Sequence, residues 1–286
     1  MAIGKELFDL IYSIRHEIKG KKVVSLGNPF ISEVNISNYF TINKLELRNI
    51  DLNDFSEYIL KTYFEVESFN IIDITDEEKA DFIHNLNFEI KNNLINKFDL
   101  VIDPGTSEHI FNESQGLCNI FKLLKKNGMY LFNLPANNWI EHGFRQYSPT
   151  YFYDICASNK GKLLLGSLGL SCNWLTLDCV PLYKRYDKNF EKVIDLEIYN
   201  KIGTFNNFGF KTGLIMRLIN KLGSPTMING VIKKKDHDIN YNNVNQFIYR
   251  FYKLDQVTSN QKRIFNKSFF YKFIKEFFIF FPLPTI

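Results

Sequence analysis

Residues 98–103, Phe-Asp-Leu-Val-Ile-Asp, form an almost unbroken apolar run that stops at Pro104-Gly105. Continuous rather than alternating apolar residues describe a strand covered on both faces, which belongs inside a parallel sheet flanked by helices. The same pattern recurs in Lys-Lys-Val-Val-Ser-Leu ending at Gly27-Asn28-Pro29, in Ser-Phe-Asn-Ile-Ile-Asp ending at Asp73, and in Met-Tyr-Leu-Phe-Asn-Leu-Pro ending at Pro135. A shorter candidate, Asp-Phe-Ile-His-Asn-Leu-Asn, lies between the run ending at Asp73 and the run starting at Phe98.

The segments between the runs carry helical spacing. Ile3, Leu7, Leu10, Ile11, Ile14 and Ile18 recur on one face, so a helix is expected over 3–19, closed by Gly20. Leu117, Ile120, Phe121 and Leu124 share another face, with Asn112 as the expected cap and Asn127-Gly128 as the stop. Alternating strands and helices predict an α/β, Rossmann-like, doubly wound and mostly parallel sheet. In such sheets ligands sit outside the carboxyl ends of the strands. Gly27, Asp73, Glu108, His109 and the loop after Pro135 all fall at that edge.

Further strands are expected in Lys-Leu-Leu-Leu-Gly-Ser-Leu-Gly-Leu, Trp-Leu-Thr-Leu-Asp-Cys-Val-Pro-Leu-Tyr and Thr-Met-Ile-Asn-Gly-Val-Ile-Lys-Lys-Lys, and a helix over 211–222. The domain is expected to span 1–235, with a Phe-rich helical appendage over 236–286. The apolar run Phe277–Phe281 is too short to cross ~30 Å of hydrocarbon. The tail is expected to dock on the domain or a second copy, with membrane-surface contact as the alternative.

Composition narrows the function classes. Thirty-five basic against 31 acidic residues give a net charge of +4, too mild for a nucleic-acid surface. Lys233–Lys235, the one dense basic run, reads as a solvated strand end. The four cysteines form no CxxC pair, so neither a zinc cage nor a disulfide framework is expected. The first 22 residues interrupt their apolar positions with charges, unlike a signal peptide, and a cytoplasmic location is expected.

Val-Val-Ser-Leu-Gly-Asn-Pro, Asn-Ile-Ile-Asp-Ile-Thr, the segment 98–112 with its Gly-Thr-Ser-Glu-His, the run into Asn-Leu-Pro-Ala-Asn-Asn, and His-Gly-Phe-Arg-Gln-Tyr-Ser-Pro-Thr-Tyr-Phe-Tyr-Asp-Ile together resemble the class I S-adenosylmethionine-dependent methyltransferases. Within that class they resemble a divergent branch associated with bacterial surface-polysaccharide and sugar modification. The resemblance covers roughly residues 20–155 and implies S-adenosylmethionine as cofactor. It implies contacts from Ser25, Leu26 and Gly27 to the methionine part, from Asp73 to the ribose hydroxyls, and from Asn85 near the adenine, with Asp103 and Gly105 also lining the cofactor site. The first motif departs from the family, since Asn28 and Pro29 stand where further glycines are usual. The missing G-x-G-x-x-G argues against a nicotinamide enzyme.

Methyl transfer requires a base beside the acceptor nucleophile. The implied base is His142, with Glu108 and His109 beside it. Asn137, Asn138, Gln146 and Tyr147 are the expected contacts to a sugar-type or other small-molecule acceptor. Plainer roles stand beside these: Asp73 as a helix cap, Glu108 and His109 as caps of the helix near Asn112, His142 as a hydrogen-bonded structural residue. A metal site of Glu108, His109 and His142 is not expected, because adjacent residues seldom point at one ion. The alternative function is a catalytically degenerate domain that binds a partner or a membrane.

Overall fold

The computed structural model describes residues 2–31, 36–37, 39–41, 50–77, 79–159, 161–172, 175–178, 225–237, 239, 241 and 244. Met1–Asn245 form one compact unit. The helix expected over 211–222 and, apart from residues 236, 237, 239, 241 and 244, the appendage expected over 236–286 lie outside the described residues.

In chain order the elements are β1 (Ala2–Ile3), α1 (Lys5–Ser13), α2 (Arg15–Ile18), β2 (Lys22–Leu26), β3 (Phe30–Ile31), α3 (Leu52–Tyr63), β4 (Ser68–Asp73), β5 (Phe82–Ile83), β6 (Phe98–Asp103), α4 (Glu113–Leu123), β7 (Leu124–Asn137), α5 (Pro149–Ser158), β8 (Leu163–Cys172), β9 (Leu175–Asp178) and β10 (Thr226–Lys234). Short 3-10 turns occupy Asn92–Leu94 and Ser107–His109. Eight strands form the main sheet in the order β5-β4-β2-β6-β7-β10-β8-β9. The first five are parallel, while β10 runs antiparallel between β7 and β8. Strand order reverses between β2 and β6, which makes that junction the topological switch point of a doubly wound sheet.

The expected α/β class is therefore the observed one. β6 and β7 are its buried centre: Leu100, Val101, Ile102, Leu131 and Phe132 are fully enclosed. Beneath them, α1 contributes Leu7, Phe8 and Ile11 to the same core. The expected 3–19 helix is broken at Ile14, whose φ of −99° and ψ of 14° leave the helical region. The helix after Asn112 ends at Leu123 rather than at Asn127, and the Asn112 side chain makes no capping bond. Its backbone N–H instead reaches Asn87 Oδ1 at 2.8 Å.

Lys233–Lys235 also depart from expectation. A strand alternates its faces, so the middle lysine points inward. Lys234 is 2% exposed, and its Nζ donates to Phe121 O and Leu124 O at 2.6 Å each and to Asn96 Oδ1 at 3.2 Å. It closes the carboxyl end of α4, where a cation is favoured by the helix dipole.

Candidate functional site

At the carboxyl ends of β2 and β4, the register pairs Leu26 with Ile72, so Gly27 and Asp73 leave the sheet side by side. Gly27 has φ of 78°, a left-handed turn that suits glycine, and its N–H donates to Ile72 O at 2.7 Å. Leu26 O accepts the Thr106 hydroxyl at 2.6 Å, tying this turn to the loop after β6. Ser25 is buried, and its Oγ has no partner among the described residues. Asp73 is half-buried; its Oδ1 accepts from the amides of Ile74 at 2.6 Å and Thr75 at 3.4 Å. Asn85 lies two residues beyond β5, and its Oδ1 is engaged by Asn87.

The loop after β6 is built around Asp103. Its fully buried carboxylate accepts from Thr106 N at 2.9 Å, Ser107 N at 3.3 Å, Tyr130 OH at 2.8 Å and the Ser107 hydroxyl. Four donors around one carboxylate describe a tie that fixes the loop. Burial, then Asp103 itself, pushes the Tyr130 phenol well above its ordinary value.

That tie sets the 3-10 turn from which Glu108 and His109 project. Glu108 is 1% exposed. Burial, with a contribution from nearby Asp103, raises its carboxyl to about 8. Its Oε1 lies 3.3 Å from His142 Nε2 and 3.9 Å from His109 Nε2, while Oε2 has no partner among the described residues. The two imidazoles are each roughly half exposed and meet edge to face with centroids 5.1 Å apart. Burial and the neighbouring His142 lower the basicity of His109. One ligand atom from each of the three residues falls within 4.8 Å of the other two.

Two glycines leave room for this acid. Gly105 has φ of 109°, and a Cβ there would stand 3.1 Å from Glu108 Oε1. Gly143 has φ of 72°, and a Cβ there would meet Glu108 Cγ at 2.8 Å and Glu108 O at 3.0 Å. The loop carrying His142 is tied down by Phe144 N donating to Glu108 O at 2.7 Å and by the Arg145 guanidinium bonding the carbonyls of Ile110 and Phe111. Gly143 and Arg145 are thus site residues without an expected role. Their signal was local: a glycine and an arginine next to a polar, His-bearing loop.

Other expected acceptor contacts divide. Asn137 and Asn138 are half-buried at the end of β7, Asn138 with φ of 59°. Gln146 is exposed, and its Oε1 accepts Trp139 N at 3.3 Å. Tyr147 is only 4% exposed and packs on Tyr151 and Phe152. Its aromatic face is core, which removes it as a surface for an acceptor. Its hydroxyl and Glu113 Oε1 have no partner among the described residues, beside a cavity of about 10 Å³, room for one water. Phe111 and Phe144, both largely exposed, form a ring pair at 5.4 Å near the two histidines.

No protein-family profile matches the sequence, and no curated protein matches it. Among solved structures, the chain is similar to a candidate sarcosine dimethylglycine methyltransferase from Galdieria sulphuraria, at 13% identity and a TM-score of 0.46, over 82% of this chain and 85% of that one. It is also similar to an O-methyltransferase from a trans-AT polyketide synthase of Brevibacillus brevis bound to S-adenosylhomocysteine, at 12%, 0.43, 82% and 74%. Phosphoethanolamine N-methyltransferase 2 of Haemonchus contortus, bound to S-adenosylmethionine, matches at 11%, 0.38, 81% and 56%. The class defined by the sheet order itself is Rossmann-like α/β. Among the described residues, no helix is long and apolar enough to cross a membrane.

Proposed function

We propose that this chain is an S-adenosylmethionine-dependent methyltransferase acting on a hydroxyl or amine. The observation that carries the reading is one edge of one sheet. The Gly27 turn and the half-buried Asp73 carboxylate stand together beside the switch point, and the Glu108, His109 and His142 cluster follows β6 and β7 at the same edge. A glycine turn lets backbone approach a ligand closely, and a carboxylate accepts two hydroxyl protons. These residues fit the methionine and ribose parts of the cofactor.

When bound, S-adenosylmethionine supplies a methyl carbon on a positively charged sulfur. The chain's own task is to hold the acceptor and take its proton. The half-exposed His142 imidazole accepts that proton as the acceptor oxygen or nitrogen gains the methyl group, and Glu108 orients the ring. We extend the reading to a sugar, nucleotide-sugar or related cell-surface precursor. The exposed Phe111 and Phe144 pair, with Asn137, Asn138 and Gln146 on the loop after β7, supports it as an apolar face beside hydrogen-bonding groups.

Calorimetric titration with S-adenosylhomocysteine tests the cofactor. Micromolar binding is expected, weakened roughly tenfold by Asp73→Ala, a loss of ~1.4 kcal/mol. No binding by the parent protein overturns the reading.

A further inference from the structure

We propose that Glu108, His109 and His142 form a binding site for one first-row divalent cation of the zinc type. Two imidazoles and one carboxylate are the donor set such cations take, whereas magnesium and calcium prefer oxygen alone. The ligand atoms all lie within 4.8 Å of one another, and Glu108 Oε1 is already 3.3 Å from His142 Nε2 and 3.9 Å from His109 Nε2. In a tetrahedral site with ligands ~2.1 Å from the ion, donor atoms stand roughly 3.4 Å apart. One pair is at that spacing, and the others close through rotation of two half-exposed imidazoles.

Glu108 supplies a second, independent observation. It is 1% exposed with Oε2 unpartnered among the described residues, and its 3.3 Å approach to His142 is long for a hydrogen bond to a carboxylate. Burying an unpaired carboxyl oxygen is costly, and a native fold keeps such a group where it binds something. The left-handed Gly105 and Gly143 keep that acid's space clear, so the cluster is built into the backbone. Exposure of both imidazoles leaves open positions for water or an acceptor oxygen, the arrangement of a catalytic rather than a structural site.

Cation binding needs no cofactor, so the inference stands or falls separately from methyl transfer. With an ion bound, His142 would serve as a ligand in place of its role as base, and the ion would lower the pKa of a coordinated acceptor hydroxyl enough for its proton to pass to solvent water. Full-length protein, stripped with chelator and desalted, would be titrated with cobalt(II) while its visible absorption is followed. The expected result is one cobalt per chain with a d–d band, and affinity lowered at least ~100-fold by Glu108→Gln and by His142→Ala. A His16→Ala, His84→Ala, His237→Ala variant is expected to bind as the parent does. Circular dichroism checks that each variant is folded, and the near-isosteric Glu108→Gln guards against loss of fold. A parent protein that binds no cobalt overturns the proposal. So does unchanged affinity in folded Glu108→Gln and His142→Ala.

Discussion

Two ionisable side chains are buried at opposite ends of one sheet, and they are treated differently. Lys234, at the amino edge beside the start of β7, places its ammonium against three oxygens and uses its full set of donors. Glu108, at the carboxyl edge, leaves one oxygen without a partner and the other at 3.3 Å from a half-exposed imidazole. Both are at most 2% exposed. At the amino edge Lys234 makes all three of its bonds inside the protein. The carboxyl edge keeps unspent valence, which is where a doubly wound sheet binds its ligands.

The largest expected effect tests the closed edge. Lys234→Met leaves the Phe121 and Leu124 carbonyls buried without their donor, at about 1–3 kcal/mol for each orphaned group. The cost depends on pH. Burial lowers the folded-state value of Lys234 to about 8, against about 10.4 for an unfolded lysine. Below pH 8 both states are protonated, and the folded state bears the cost of a desolvated charge. Between pH 8 and 10 the folded state releases its proton first, so stability rises with pH by roughly 2 kcal/mol. Urea unfolding is therefore expected to show Lys234→Met about 3 kcal/mol less stable than the parent at pH 10 and about 1 kcal/mol less stable at pH 7. A gap that does not widen with pH breaks the picture of the closed edge.

Next in size is a change at the open edge. Gly143→Ala places a Cβ 2.8 Å from Glu108 Cγ in a backbone of φ 72°. Strain of this kind costs about 1–3 kcal/mol. The movement that relieves it pushes the acid away from His142, so the cobalt band is expected to vanish while the fold survives. Gly105→Ala, with a 3.1 Å contact to a carboxyl oxygen, is expected to cost less on both counts. Equal affinity for cobalt in the Gly143→Ala protein would show that the glycine serves the loop alone.

The comparison also marks how far the sequence could be read. Unbroken apolar runs located β2, β4, β6 and most of β7, because a strand buried on both faces has no polar alternation to obscure it. The strand ends then placed Gly27, Asp73, Glu108 and His109 at one edge. What escaped depends on side-chain direction across long separations. Lys234 looked solvated because its partners lie on α4, at the start of β7 and before β6, more than 100 residues earlier. Asp103 looked like a ligand-site acid, yet it holds its own loop with Thr106, Ser107 and Tyr130. Tyr147 fell in a polar loop, but Tyr147 N donates to Pro135 O at 2.7 Å and the ring turns onto Phe152. Convergence of adjacent Glu108 and His109 on His142 needed the tight 3-10 turn, which no periodicity announces.

The smallest expected effect on stability is the sharpest test of the difference between the edges. Glu108→Gln keeps the shape of the side chain and removes the buried ionisable group. If the carboxyl is kept for what it binds, its removal costs the fold nothing, and the protein is expected to be unchanged or up to ~1 kcal/mol more stable in urea at neutral pH. The same substitution is expected to abolish the cobalt band, so stability and ligand binding separate at one residue. A loss of more than about 2 kcal/mol would mean that the carboxyl is paired within the fold, as an interior ion is when breaking its contacts destabilises the protein. Glu108 would then belong with Lys234 as a structural charge, and the distinction between the two edges would rest on Gly27 and Asp73 alone.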